Sequence, residues 1–377
     1  MNDEEILLDK EPARFTPDDM NRLLIHCFNV GASDITLQSQ ETVYAEIYGQ
    51  LKPVTRHKLS TAEVGDMINY IYGPNGTTQI SSGKDVDTHY DIRPNRHDLF
   101  RFRVNGTACL VEGHDGIQIT LRTIPTDPPL LDDLGLEPDL LKSISPQQGI
   151  VFVTGATGSG KSTLLASIIR KLVEQADGNR KILTYESPIE FVYDNVDKPS
   201  SIVAQSEIPR HLPSFAAGVR NALRRKPMAI LVGESRDSET ISATIDAALT
   251  GHPVYTTLHS NGVAETVRRL VSSFPQEERT ARIIDIIETI RVVIWQKLVP
   301  TVDNKRVALR EYLVFDDNIR DQILSSDLDS ITATTRELVK KYGQPMHMDA
   351  KKKFEAGIID ERTYNILKVG AKLAENE

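Results

Sequence analysis

Three glycines and one lysine lie within the eight-residue stretch GATGSGKS, which runs from Gly155 to Ser162 and fits the pattern G-x-x-x-x-G-K-[ST] at every position. The apolar run IVFVT precedes it and a helix-forming run follows, which is the context that the pattern requires. Glycine lets backbone N–H groups point inward and approach a ligand closely. The N-terminus of the following helix adds partial positive charge. The stretch therefore predicts a cradle for nucleotide phosphates.

Two side chains of this stretch have predicted roles of their own. Lys161 is expected to reach the β- and γ-phosphates, and the hydroxyl of Ser162 is expected to be a ligand of Mg²⁺. The predicted cofactors are therefore ATP and Mg²⁺. The residues expected to contact the nucleotide are Gly155, Ala156, Thr157, Gly158, Ser159, Gly160, Lys161, Ser162 and Thr163.

Glutamates end two other apolar runs. Glu234 follows the run MAILVG, where nucleotide hydrolases often carry a pair of acidic residues and this chain has one. The stretch LTYESPIEF supplies Glu186 and Glu190 on either side of Pro188. Because parallel strands place their ligands beyond their carboxyl ends, we expect these carboxylates to face the phosphates. Glu234 would align the attacking water, and Glu186 or Glu190 would hold the water shell of the metal or share the role of base.

A histidine and three arginines complete the candidate site. His259, in TTLHSN after a third apolar run, is expected to sense the γ-phosphate. Nucleotide hydrolases of this kind gain rate from an arginine that neutralises charge in the transition state. Arg101 and Arg103, in RFRVN, and Arg122 are the candidates, and a structural ion pair is the alternative interpretation.

A second basic group, Arg220, Arg224, Arg225 and Lys226, lies on the helix predicted before Glu234. It fits an intersubunit face, a nucleic-acid strip or a solvated helix.

The pattern along the chain predicts an α/β protein with two domains. Residues 1–122 read as a small sheet with helices, and the proline-rich stretch 123–138 reads as a linker. In residues 139–305 apolar strand runs alternate with helices, which predicts a parallel sheet covered on both faces. Residues 306–377 read as a polar helical segment.

The composition narrows the class of protein. The 377 residues carry a net charge of −9, which argues against a broad nucleic-acid surface. No apolar run approaches the roughly 20 residues of a membrane helix, and the acidic N-terminus has no apolar signal core, so we expect a cytoplasmic protein. Cys27 and Cys109 are predicted to be free buried thiols.

Four motifs occur in a family-like order and spacing: GATGSGKST, LTYESPIEF, AILVGESRDSETI and TGHPVYTTLHSNGVAETVRRLVSSFP. With GASDITLQ and RFRVN…LRTIP nearer the N-terminus, they resemble the secretion ATPases of type II and type IV systems, in particular the PilT-like pilus-retraction motors. The resemblance spans nearly the whole chain. It implies a hexameric ring of subunits, each with a PAS-like N-terminal domain and a RecA-like P-loop core, with ATP bound between the domains at the edge of the neighbouring subunit.

The same resemblance gives the candidate residues family roles. It makes Glu234 the catalytic base and makes His259 the link between nucleotide and domain motion. Glu186 and Glu190 would shape the magnesium site. The arginines that would swing onto the phosphates as the domain closes are Arg101, Arg103 and Arg122.

Two motifs depart from the pattern of the family. Ser187 stands where the acidic box usually has an aspartate, and Lys226-Pro227-Met228 stands where Asp-Pro-Asp is usual. Hydrolysis is expected to survive both changes because the three glutamates remain. No role that belongs to the missing aspartates transfers to this chain.

The sequence thus predicts a ring-forming ATPase that powers a type IV-like secretion system or a pilus-type machine. Its predicted partners are other copies of itself and proteins of an inner-membrane secretion complex, through which it would be recruited peripherally to the cytoplasmic face of the inner membrane. Nucleic acid is not an expected partner. The alternatives are a P-loop kinase with a small acceptor, a RecA-like nucleic-acid motor or binding module, and an ATP-binding scaffold with little hydrolysis.

Overall fold

Two units make up the chain, Met1–Thr126 and Asp127–Glu377. The computed structural model describes residues 6–47, 49–95, 98–124, 127–303 and 305–374, the last seven of these by their backbone. Within the described residues, no helix is both long and apolar enough to span a membrane.

The first unit is built on an antiparallel sheet with helices. Its elements are α1 (Pro17–Asn29), β1 (Ala32–Gln38), β2 (Tyr44–Ile47), β3 (Gln50–Pro53), α2 (Thr61–Tyr72), α3 (Gly76–Ser81), β4 (Val86–Ile92), β5 (Phe100–Val111) and β6 (His114–Ile124). The strands lie in the order β3-β2-β1-β6-β5-β4, and each neighbouring pair is antiparallel.

Local sequence explains the first helix. A capping box, in which Thr16 and Asp19 satisfy each other's backbone N–H groups, starts α1. Leu23 and Leu24 are fully buried on its apolar face, in the same core cluster as Ile35 of β1. The small sheet with helices that the sequence predicts for this part of the chain is therefore confirmed.

The second unit is a mixed sheet with helices on both faces. Its elements are a 3₁₀ turn (Leu131–Leu134), α4 (Pro138–Ser143), β7 (Gly149–Thr154), α5 (Lys161–Glu174), β8 (Lys181–Glu186), β9 (Ile202–Glu207), α6 (Phe215–Ala222), β10 (Ala229–Val232), α7 (Ser238–Leu249), β11 (Pro253–Leu258), α8 (Val263–Ser272), α9 (Arg279–Thr289), β12 (Ile290–Pro300), β13 (Arg306–Val314), α10 (Asp317–Leu324), α11 (Ile331–Tyr342), α12 (Met346–Glu355) and α13 (Glu361–Ala374). The strand order is β13-β12-β7-β11-β10-β8-β9, and only the edge strand β13 is antiparallel to its neighbour among these strands.

Strand β7 shows how this sheet is covered. All six of its residues are buried. Ile150 and Phe152 belong to one core cluster, and Val151 and Val153 belong to another. Because successive side chains of a strand point to opposite faces, each face of the sheet has its own hydrophobic layer. The predicted α/β fold with a RecA-like parallel-sheet core is confirmed.

Two of the expected boundaries need correction. β13 falls within the stretch 306–377 that was expected to be helical, so the core sheet continues past residue 305 to Val314. The stretch 123–138 was expected to be a linker, but it begins inside β6, and Leu131 and Leu136 are buried in a core cluster of the second unit. Polar residues in β13 hid its alternation, and prolines hid the packing of the two leucines. Pro125 of this stretch lies outside the described residues.

Three further differences concern strands and a thiol. β9 and β12 were not predicted, because β9 is half-buried and carries polar residues, and because Arg291 and Lys297 interrupt the apolar run of β12. Cys27 is buried, and burial raises the pKa of its thiol to about 12, whereas Cys109 is only partly buried.

Alanine at Gly218 should destabilise the second unit. A Cβ at this position would lie 2.6 Å from the buried ring of Tyr185, so the gain in helix propensity is outweighed by overpacking of about 1–3 kcal/mol. We expect Gly218→Ala to lower the melting temperature of the full chain. Arg220→Ala, on the exposed side of the same helix α6, is the control and should change stability by less than about 0.5 kcal/mol. Equal melting of wild type and Gly218→Ala would contradict this packing.

Candidate active site

The carboxyl ends of four neighbouring strands meet at one edge of the second sheet. β7, β11, β10 and β8 are adjacent there, and the segments that follow them enclose a cavity of about 200 Å³. The cavity is lined by Thr157, Gly158, Lys161, Ser162, Leu165, Ala166, Glu186, Ser187, Pro188, Glu190, Phe191, Tyr193, Phe215, Leu231, Gly233, Glu234, Thr257 and His259. The predicted phosphate loop, the three predicted glutamates and the predicted histidine therefore share one cavity.

The glycines of the loop are required by its backbone and by its neighbours. Gly155, Gly158 and Gly160 have φ values of +144°, +75° and +82°, which other residues rarely adopt. A Cβ at Gly155 would lie 2.3 Å from the carbonyl oxygen of Gln296. A Cβ at Gly160 would lie 2.9 Å from the side-chain nitrogen of Gln296. The loop thus rests directly on β12.

Lys161 is the first residue of α5 and is almost fully buried. Its ammonium group donates hydrogen bonds to the carbonyl oxygens of Gly155 (3.0 Å) and Ala156 (2.8 Å). Burial lowers the pKa of Lys161, and the charges of Glu234 and Glu190 act against this shift. Two of the three glutamates thus face the lysine closely enough to affect its ionisation.

Glu234 is positioned by hydrogen bonds of its neighbours in the chain. The Thr257 hydroxyl donates a hydrogen bond of 2.5 Å to the carbonyl oxygen of Gly233. The backbone N–H of Ser235 donates one of 2.9 Å to the carbonyl oxygen of Thr257. These bonds tie the end of β10 to β11. The Glu234 carboxylate lies 3.6 Å from Nε2 of His259 and is 25% exposed. A carboxylate held beside a histidine and open to the cavity can accept a proton from water.

Glu186 and Glu190 have different surroundings. Glu186 Oε1 accepts hydrogen bonds from the Thr184 hydroxyl (2.6 Å) and from the Gln205 amide (3.1 Å). The same amide nitrogen donates to the carbonyl oxygen of Phe191 at 2.8 Å, which fixes the turn between the two glutamates. Glu186 is therefore anchored to β8 and β9, while Glu190 acts electrostatically on Lys161.

The three predicted arginines lie on β5 and β6 of the first unit, and each forms an ion pair with an aspartate there. Arg101 is buried and pairs with Asp91, whereas Arg122 is 68% exposed and pairs with Asp34 at 2.9 Å. Arg103 pairs with Asp87 at 3.0 Å. All the residues that line the cavity belong to the second unit. The prediction that these arginines reach the phosphates stays a prediction.

Sequence reasoning missed the residues that support the site. Thr257, Gln205 and Gln296 hold the backbone or side chains of predicted site residues. A signal existed for Gln296, because it is a polar residue inside the apolar run RVVIWQKLV. No comparable signal marked Gln205, which lies on the unpredicted strand β9.

The oxygen donors of the cavity fit Mg²⁺ bound together with a nucleotide. Mg²⁺ keeps several waters and is held through one or two protein groups plus the phosphates. The Ser162 hydroxyl and the Glu190 and Glu234 carboxylates line the cavity and are of this type. Among the described residues there is no group of three or more His, Cys, Asp or Glu side chains that would form a metal site of their own.

A comparison with protein families decides the identity of the chain. Residues 13–360 match the family described as type II/IV secretion system protein. The chain belongs to this family.

Several known proteins resemble the chain in sequence or in structure. A crystal structure of the Legionella pneumophila ATPase DotB is 65% identical, with a TM-score of 0.89 over 97% of this chain and 99% of that one. The type IV pilus retraction ATPase PilT of Pseudomonas aeruginosa is 33% identical over 81% of this chain and 85% of its own length. The uncharacterized protein YggR of Escherichia coli is 44% identical over 56% of this chain, and the match spans 63% of YggR.

These findings confirm the predicted resemblance to PilT-like secretion ATPases, and they add a likeness to DotB over nearly the whole chain. The chain is an ATPase of the type II/IV secretion family, and it binds nucleotide. The P-loop kinase and the nucleic-acid motor are thereby set aside.

Lys161→Ala removes the ammonium group that would contact the phosphates, and it should therefore weaken the binding of ATP. Hydrogen bonds to charged groups contribute about 1.5–3 kcal/mol, so the affinity for Mg-ATP should fall at least about tenfold. The measurement is a binding titration with a fluorescent ATP analogue. Lys171→Ala is the matched control, because Lys171 lies on the same helix with its side chain exposed and paired with Asp132. Unchanged affinity and turnover in Lys161→Ala would exclude the loop from phosphate binding.

Proposed function

We propose that this ATPase hydrolyses Mg-ATP in the cavity at the edge of the second sheet and works as a homohexameric ring that powers a type IV secretion machine. The observation that carries the proposal is the meeting of Lys161, Glu234 and His259 in one cavity behind a complete phosphate loop. The family match supports the ATPase activity, and the likeness to DotB supports a type IVB secretion machine of the Dot/Icm kind.

The phosphate loop would bind the β- and γ-phosphates. Its backbone N–H groups and the N-terminus of α5 supply partial positive charge, and Lys161 supplies a full one. Mg²⁺ would be held by the Ser162 hydroxyl and, through water, by Glu190, and when bound it neutralises phosphate charge. We assign this role to Glu190 because its charge acts on Lys161, the residue that would contact the phosphates.

Glu234 would act as the base that aligns and deprotonates the attacking water. The bonds from Thr257 and Ser235 hold the end of β10 in place, so the carboxylate keeps its position when the proton moves. Nε2 of His259 lies 3.6 Å from this carboxylate, so a change in the charge of Glu234 would change its attraction for His259. His259 would thereby alter the position of the loop after β11. We therefore assign His259 a coupling role and not the role of the base.

Arg122 is the best of the three arginine candidates. Its side chain is 68% exposed, and an exposed ion pair such as that with Asp34 contributes little to stability. Exchanging the aspartate for a phosphate oxygen therefore costs little. Arg103, 45% exposed, is the next candidate. Arg101, only 2% exposed, would have to leave its buried position and its ion pair with Asp91 to reach a phosphate, so we assign it to the structure of the first unit.

The proposed setting is the cytoplasmic face of the inner membrane. The family and the likeness to DotB support recruitment there through protein partners of the secretion complex. The ring would consist of copies of this chain. A net charge of −9 leaves nucleic acid an unfavoured partner.

Glu234→Gln should separate binding from hydrolysis. The amide keeps the size of the side chain but cannot take a proton, and general-base catalysis contributes about 10²–10⁴-fold to rate. We expect phosphate release to fall at least about 100-fold while the affinity for Mg-ATP stays within about threefold. Glu239→Gln, an exposed glutamate on α7, is the control and should behave as wild type. Wild-type turnover in Glu234→Gln would move the base to Glu190 or Glu186.

Arg122→Ala should slow phosphate release without weakening ATP binding, because an arginine that neutralises transition-state charge acts after binding. Arg14→Ala is the control, since Arg14 forms a similarly exposed ion pair with Asp66 in the same unit. If Arg122 acts on the site of a neighbouring subunit, mixing Arg122→Ala with Lys161→Ala should restore part of the activity. No recovery at any mixing ratio would contradict action between subunits, and wild-type turnover in Arg122→Ala would return the residue to a structural role.

A further inference from the structure

A chain of buried polar side chains lies beneath the phosphate loop. Its members belong to β12, β13, the segment before α12 and α12 itself, and each is at least nine-tenths buried. The members and their exposed fractions are Gln296 (3%), Arg310 (1%), Gln344 (5%) and Asp349 (1%).

Gln296 is the member that contacts the loop. Its side-chain nitrogen donates a hydrogen bond of 2.7 Å to the carbonyl oxygen of Ser159. Its side-chain oxygen accepts one of 2.9 Å from Nε of Arg310. The amide therefore turns the Ser159 carbonyl toward β12, and the absence of a Cβ at Gly155 and Gly160 lets the loop approach this closely.

Arg310 holds Gln296 in turn. Its guanidinium donates hydrogen bonds to the carbonyl oxygens of Leu134 (3.0 Å) and Gly135 (3.3 Å). The backbone N–H of Arg310 donates a hydrogen bond of 2.8 Å to the Asp349 carboxylate. Burial lowers the pKa of Arg310, and the charges of Glu137 and Asp349 oppose the shift. The carbonyl oxygens of the 3₁₀ turn and its end thus orient the arginine, and the arginine fixes the amide of Gln296.

Filling a core with such a network has a free-energy cost. Buried charged groups lose hydration, and apolar residues of similar volume often stabilise a protein as well or better. Fixed hydrogen bonds do, however, hold a loop in one conformation before its ligand arrives, which lowers the entropic cost of binding. A phosphate loop needs this, because its N–H groups must face the ligand while its carbonyl groups face away.

We propose that Gln296 and Arg310 are positioning residues for ATP, which hold the phosphate loop in its binding conformation through the carbonyl group of Ser159. The inference rests on the proposed role of the loop as the phosphate site. Gln296 acts on the nucleotide through the loop backbone, and Arg310 acts through Gln296.

The test compares two buried glutamines of the same network. Gln296→Met removes the bond to Ser159, and Gln344→Met removes bonds to Glu137 (2.6 Å) and to the Arg310 carbonyl (3.3 Å) without touching the loop. Both should lower the melting temperature. Only Gln296→Met should weaken binding of a fluorescent ATP analogue, by about tenfold at a temperature where both variants are folded.

A third variant keeps the proposal testable if Gln296→Met does not fold. Arg310→Lys retains the charge near Asp349 but cannot reproduce the planar fork that reaches Gln296 and the turn carbonyls. We expect Arg310→Lys to bind ATP about threefold to tenfold more weakly than wild type, and more weakly than Gln344→Met. The inference would be overturned if Gln296→Met bound ATP as tightly as wild type. If Gln296→Met is unfolded, wild-type affinity in Arg310→Lys would overturn it. Equal losses of ATP affinity in Gln296→Met and Gln344→Met would also overturn it. Failure of the wild-type protein to bind ATP would instead overturn the proposed function.

Discussion

Backbone hydrogen bonds between the parallel strands β7, β11, β10 and β8 are the interactions on which the site depends. They align the carboxyl ends of segments that lie far apart in the chain, so the phosphate loop, Glu186, Glu234 and His259 emerge at one edge. A parallel sheet needs helical crossovers, and these crossovers cover both of its faces with apolar side chains. The fold therefore keeps the sheet dry while leaving its edge open for polar chemistry.

Much of this arrangement could be predicted because it follows from local patterns. The sequence GATGSGKS between an apolar run and a helix defines strand, loop and helix together, and each apolar run that ends in an acidic residue marks a strand end. The strand order was the missing step. Alternation of strands and helices predicts a parallel sheet, but only the structure shows that β11 lies between β7 and β10 and so brings Thr257 to the carbonyl of Gly233.

What could not be predicted depends on contacts between distant residues. Gln296 follows Ser159 by more than a hundred positions, and Arg310 contacts the carbonyls of a turn far earlier in the chain. A glutamine in an apolar strand indicates a buried polar group without naming its partner. Likewise, β9 and β13 carry polar residues that obscure their alternation, because each is an edge strand of the sheet.

As proposed, hydrolysis depends on the base and the phosphate loop of the second unit and on an arginine of the first unit. We propose that in the ring this arginine acts on the site of a neighbouring copy of the chain. The central claim of the proposal is that such a site would be complete only in the assembly.

The most direct test measures phosphate release from Mg-ATP without any added acceptor across a range of protein concentrations, with the native mass determined in each sample. The account predicts that turnover per subunit rises in proportion to the fraction of chains assembled into rings. A monomer fraction that releases phosphate at the same rate per subunit as the ring would contradict it.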